Sequence, residues 1–155
     1  MTKLIAFVDG SNYSKSVCDY AAWVAVKLGG TVDLIHVRGH RNDSRAPVDL
    51  SGSIGLGART NLLTDLAEQD GKIARLDHQR GRAILDDAKE TLMAAGVSKV
   101  ATLLRNDGIV ETVQDFESGA GLIIIGKRGK KHESDESHLG SNFERVVRAS
   151  HKPVF

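Results

Sequence analysis

Hydrophobic positions fall into two alternating patterns along the chain. Short, nearly continuous apolar runs occur at Leu4–Val8, Thr31–Val37, Val97–Leu104 and Gly121–Ile125. Runs of that length, rich in Val, Ile and Leu, read as strands buried on both faces, the mark of a parallel sheet. Between them, apolar residues recur every three or four positions, the spacing of a helix with one buried face. Val17, Cys18, Ala21, Ala22, Val24, Ala25 and Leu28 form the first such stripe, opened by Ser11-Asn12-Tyr13-Ser14 and stopped by Gly29-Gly30. The second begins at Ala58 and runs almost to Ala95 through Leu62, Leu63, Leu66, Ile73, Leu76, Ile84, Leu85, Ala88, Leu92 and Met93. Gly71 and Gly81 lie inside it, where a bend or break is expected. Shorter helices are predicted from Ile109 to Glu117 and from Asn142 to Ser150, and Pro153-Val154-Phe155 begins a fifth strand.

Strand and helix alternate throughout, which predicts right-handed crossovers and an α/β fold: a doubly wound, Rossmann-like parallel sheet with helices on both faces. Ligands of such folds bind beyond the carboxyl ends of the strands. That rule directs attention to Asp9-Gly10-Ser11, to the residues after Val37 and to everything after Ile125.

Composition narrows the function classes. A chain of 155 residues, 41% hydrophobic and 26% charged, suits one domain, taken as residues 1–155. A net charge of +1 supplies no field that would select nucleic acid or a membrane. The single cysteine, Cys18, excludes an internal disulfide and suits a reducing compartment. The opening apolar run ends at Asp9-Gly10, too short for a span and without a cleavage site, so a cytoplasmic protein is expected.

Three features at the predicted carboxyl edge carry chemistry. Gly126-Lys127-Arg128-Gly129 directly follows a buried strand, and glycines there let backbone N–H groups approach a ligand. Gly140-Ser141 opens a helix, where Ser141 can cap and the unpaired N–H groups favour a phosphate. Asp9 ends the first strand, where a carboxylate can hold a ribose hydroxyl or a divalent cation. Singly each has an ordinary structural explanation; together they describe a phosphate site. Lys127 and Arg128, with Lys130 and Lys131, place positive charge beside it.

These residues resemble the signature of the universal stress protein family: Gly, two residues, Gly, nine residues, Gly and Ser or Thr. The resemblance extends to Val8-Asp9-Gly10-Ser11, His36-Val37, Leu122–Gly126 and Ser150–Val154, in order over the whole chain. It implies a five-stranded parallel sheet of order 3-2-1-4-5 and, through the signature, ATP binding, with AMP or ADP as related ligands and Mg2+ as the accompanying ion. By position, Val8, Asp9 and Ser11 match the group near adenosine and metal, with Asp9 as the metal ligand. Val37 matches a position whose backbone meets adenine. Gly126, Lys127, Arg128, Gly129, Gly140 and Ser141 match phosphate and ribose contacts, and Asn142 and Phe143 follow in the phosphate-binding turn. Ten residues rather than nine separate Gly129 from Gly140. The family's last strand is usually longer and pairs across a dimer interface in many members, implying a homodimer or a tandem-domain pairing. The long helical stretch after Gly57 resembles the tandem proteins. The resemblance leaves the protein partner unnamed.

Other features read more simply. Gly52-x-x-Gly55-x-Gly57 does not follow a strand and reads as a lead-in to a helix rather than a dinucleotide fingerprint. His132-Glu133-Ser134-Asp135-Glu136-Ser137-His138 holds metal-capable side chains but has the composition of a solvated loop. Cys18 and His36 read as core residues. No Walker loop, nucleophile elbow or helical His/Glu pair is present, so no catalytic residue is assigned. The expected function is an ATP-binding stress-response domain using the nucleotide as a regulatory ligand, with slow ATPase activity at most. The alternatives are a nucleotide-free dimerisation or scaffold module of the same fold, and an enzyme of the adenine nucleotide α-hydrolase type, for which no acceptor site is legible.

Overall fold

The structure, a computed structural model, describes residues 2–38, 56–129 and 139–155, with side chains of the long helix described from Thr60 onward. Its elements follow the alternation: β1 (Lys3–Phe7), α1 (Asn12–Leu28), β2 (Thr31–Val37), α2 (Leu56–Ala94), β3 (Val100–Arg105), α3 (Ile109–Phe116), a 3-10 turn (Glu117–Gly119), β4 (Leu122–Ile125) and α4 (Ser141–Ala149). All three strand pairings are parallel, and the order is β3-β2-β1-β4.

The central strand shows why the apolar runs are unbroken. Leu4, Ala6 and Val8 face one layer, where α1 contributes Val17, Cys18, Ala21 and Ala25 and α2 contributes Leu85, Ala88 and Leu92. Ile5 and Phe7 face the other, against Ile109 and Val113 of α3 and Val146 of α4. With helices on both faces, the interior positions of the central strand, Leu4 to Phe7, are all apolar.

Four strands form the sheet rather than five. The predicted fifth, Pro153-Val154-Phe155, makes only an isolated parallel bridge, Val154 to Ile123. It lies in the place of a fifth strand, since Ile123 and Ile125 donate to the carbonyls of Pro153 and Phe155, and Phe155 donates to Ile123. Proline has no N–H and two further residues cannot extend a ladder. Val97 is buried but lies ahead of β3, which begins at Val100.

The long helix is not split. It spans 39 residues and passes through both glycines. Gly81 is a site of close approach: a Cβ there would lie 2.7 Å from Leu104 Cδ1 and 3.0 Å from His36 Cδ2. From Gly81 onward α2 packs on the sheet through Ile84, Leu85, Ala88 and Leu92. The glycine-rich 52–57 lead-in lies outside the described residues except for Leu56 and Gly57, which are already helical.

Candidate functional site

Beyond the carboxyl ends of β1 and β4 the chain builds a cleft of about 500 Å³, its open mouth included. Its floor is apolar, from Phe7, Val17, Ile35 and Ile109, and its rim carries Asp9, Ser14, Arg128 and Asn142.

The turn after β1 is built around Asp9 and Ser14. Ser14 Oγ accepts the N–H groups of Asp9 (3.1 Å) and Gly10 (3.0 Å) and donates to Asp9 Oδ1 at 3.1 Å. The same Oδ1 accepts the Ser11 N–H at 3.0 Å. Ser11 is the N-cap of α1, but its side chain makes no capping bond and its buried Oγ has no partner. The capping cluster read from the sequence therefore positions a carboxylate more than it caps a helix. Asp9 is held with Oδ2 toward Gly129, where an added Cβ would lie 2.9 Å away.

The loop after β4 and the head of α4 are joined. Gly140 donates its N–H to the carbonyl of Lys127 at 2.8 Å. A Cβ on Gly140 would lie 3.1 Å from Arg128 Cα and 3.2 Å from Lys127 O, so only glycine allows this contact without displacement. Gly140, in extended backbone, is the N-cap of α4, and Ser141 is the first helical residue. This corrects the expectation that Ser141 caps. No side chain of the N-cap satisfies the helix's first N–H groups, the groups an anion takes up at such a terminus.

Of the residues singled out in the sequence, Val8, Asp9, Val37, Gly126, Arg128, Gly129, Asn142 and Phe143 line the cleft. Ser11, Lys127, Gly140 and Ser141 lie in the supporting turns and do not line it. Val8 has both backbone groups engaged: its N–H donates to Ile35 O (3.0 Å), and its carbonyl lies 2.7 Å from His36 Nδ1. A carbonyl can only accept, so Nδ1 of His36 is the donor and the residue is a satisfied structural histidine. Val8 is left with its side chain to offer a ligand.

Tyr13 was not anticipated. Its hydroxyl accepts from Arg128 at 2.9 Å, and Lys127 Nζ sits 5.8 Å from its ring centroid. The ring thus organises both basic residues of the Gly126–Gly129 loop. Lys127 lines a separate groove with Tyr20 and Phe155, and Tyr20 meets Phe155 edge-on at 5.2 Å. Only its place among capping residues marked Tyr13 in the sequence, and that mark says nothing of position 128.

Among the described residues no group of three His, Cys, Asp or Glu side chains comes together to hold a metal ion. Among the described residues that line the cleft Asp9 alone offers a carboxylate, which suits an ion completed by phosphate oxygens and water. Lys130, Lys131, the His132–His138 run and the additional residue of the signature lie outside the described residues. Burial raises the Cys18 thiol to about 11, the state of an inert core cysteine. No described helix is long and apolar enough to cross a membrane.

Comparison with known proteins follows the same lines. The model of the universal stress protein family matches residues 1–155. A curated universal stress protein, Slr1230 of Synechocystis sp., is 36% identical over 154 residues, covering 99% of this chain and 54% of its own length. The chain therefore spans about half the length of that relative. Hypothetical protein MJ0577 superposes with a TM-score of 0.72 at 21% identity, over 99% of this chain and 93% of its own. The universal stress protein of Archaeoglobus fulgidus in complex with dAMP superposes at 0.58 with 19% identity, over 100% and 95%. At these identities the structural likenesses show the fold.

Proposed function

Because this chain belongs to the universal stress protein family, we propose that it is a nucleotide-binding stress-response domain whose cleft takes ATP, with AMP and ADP as related ligands. The observation that carries the reading is the junction of the two glycine segments: Gly140 N–H on Lys127 O brings the loop after β4 and the first turn of α4 to one cleft. The Archaeoglobus relative holding dAMP supports the adenine assignment.

In this reading the apolar lining residues Val8, Val37 and Ile109 receive the base and Asp9 accepts a ribose hydroxyl or faces the ion. The phosphates lie along Gly126–Gly129 toward the N–H groups of Ser141, Asn142 and Phe143, with Arg128 supplying charge. Mg2+, when bound, would screen the phosphates, and Asp9 is the residue to hold it. The carboxylate is tied to Ser11 and Ser14 through Oδ1, which orients it for binding. The role proposed is regulation by occupancy, with slow hydrolysis at most.

The test is direct. Small molecules released from purified protein are identified by mass spectrometry, and ATP, ADP and AMP are titrated calorimetrically with and without Mg2+. An adenine nucleotide in the eluate and saturable binding are expected. An empty eluate together with no binding heat would overturn the proposal and favour a nucleotide-free scaffold.

A further inference from the structure

Tyr13 meets three consecutive residues of the loop after β4. A Cβ on Gly126 would lie 2.9 Å from Tyr13 Cβ, Lys127 Nζ sits 5.8 Å from the ring centroid, and Arg128 Nη1 donates to the hydroxyl at 2.9 Å. The tyrosine is itself well fixed. It lies in the first turn of α1, next to Ser14, whose Oγ accepts the N–H groups of Asp9 and Gly10. A long, flexible cation is thereby held at one place on the wall of the cleft, which Tyr13 and Arg128 line together. An arginine placed in advance does not have to be ordered when a ligand arrives, so less of the binding free energy is lost to its immobilisation.

The order of the strands says which part of a nucleotide this arginine meets. The cleft runs over the ends of β2, β1 and β4, marked in turn by Val37, Asp9 and Arg128. Neighbouring strands lie about 4.8 Å apart, so the path from β2 to β4 covers roughly 10 Å. With the base at Val37 and the ribose at Asp9, the first phosphate falls near Gly129, which lies against Asp9 Oδ2. The phosphates beyond it continue past β4, toward Arg128 and the head of α4.

We propose that Tyr13 is a positioning residue that, through Arg128, makes the cleft prefer ATP to AMP. The proposal rests on the nucleotide reading above and adds to it the residue that sets the ligand's phosphate count. Lys127 supplies the contrast. It carries the same charge one residue earlier, but it sits over the ring and lines the groove of Tyr20 and Phe155 rather than the cleft. The preference therefore depends on where one charge is held and not on the total charge of the loop.

Calorimetric titration of the full chain with ATP and with AMP tests it, both in EDTA so that no divalent ion meets the phosphates. Tyr13→Phe keeps the ring and removes only the hydroxyl, and thermal melts confirm that it folds. It should lower ATP affinity about tenfold, the effect of one hydrogen bond to a charged group, and AMP affinity by less than about twofold. Lys127→Gln should leave the ATP-to-AMP affinity ratio within about twofold of wild type. Arg128→Gln should lower the ratio at least as far as Tyr13→Phe does. Adding Tyr13→Phe to Arg128→Gln should then change nothing further, as for a residue that acts through another. A wild-type ratio near one, a ratio that survives Tyr13→Phe, one that falls equally with Lys127→Gln, or one that falls again in the double variant each overturns the positioning role, while the nucleotide reading stands as long as either ligand binds. A wild-type chain that binds neither overturns both.

Discussion

Gly129→Val is the sharpest probe of the cleft. Gly129 is not among the glycines with positive φ, so the backbone itself accepts a side chain. The cost is local: the first added carbon would lie 2.9 Å from Asp9 Oδ2, and valine adds two more. The carboxylate must rotate or withdraw, but Oδ1 is held by the Ser11 N–H at 3.0 Å and the Ser14 hydroxyl at 3.1 Å. Displacing it therefore breaks at least one hydrogen bond to a charged group, about 1.5–3 kcal/mol. If that loss falls on the bound state, affinity for ATP drops by about 10- to 100-fold. Calorimetric titration of wild type and variant, with thermal melts to confirm folding, reads both quantities. Gly119→Ala is the control, since a Cβ there meets nothing within 4 Å. A folded Gly129→Val protein with wild-type affinity would show that neither this carboxylate nor this loop meets the nucleotide.

Further outcomes follow from the same geometry. Gly140→Ala should cost about 1–2 kcal/mol in denaturant unfolding and weaken ATP binding, because it breaks the Gly140–Lys127 hydrogen bond that joins α4 to the loop. Gly71→Ala lies in open space in a helix and should raise stability by about 1 kcal/mol without touching nucleotide affinity, as thermal melts and titration will report. Cys18, buried and with its thiol raised to about 11, should react with a thiol reagent at pH 8 only after unfolding. Glu117 accepts hydrogen bonds from His151 that hold its carboxyl below the usual glutamate range. Its contribution is therefore present above the unfolded-state value and lost as pH falls through the folded one. Hydrogen exchange at the Phe155 amide should be faster in Glu117→Gln than in wild type at pH 7, and the difference should disappear as the pH is lowered through the depressed folded-state value of Glu117.

The alternation of elements was legible because burial on both faces forces continuous apolar strands, and amphipathic stripes follow where one face meets the sheet. The misreadings share a cause. Gly81 looks like a helix breaker by propensity, yet its missing side chain is what lets α2 cross Leu104 and His36 closely. Ser141 looks like a cap by residue type, but the cap falls on Gly140, whose position depends on a loop more than ten residues earlier. The fifth strand exists as an alignment of three residues and not as a ladder. Within the site, residues adjacent to glycines were legible because glycine is a local signal. Tyr13 was not, because its role arises from a contact with Arg128 across the fold that no short window of sequence contains.

Tyr13 stands between two surfaces. Arg128 reaches its hydroxyl from the cleft side, and Lys127, packed over its ring, borders the groove closed by Tyr20 and Phe155. One aromatic side chain thus carries a basic residue of the cleft on its hydroxyl and a basic residue of the outer groove on its ring face, so that the two charges of the loop after β4 share a single support.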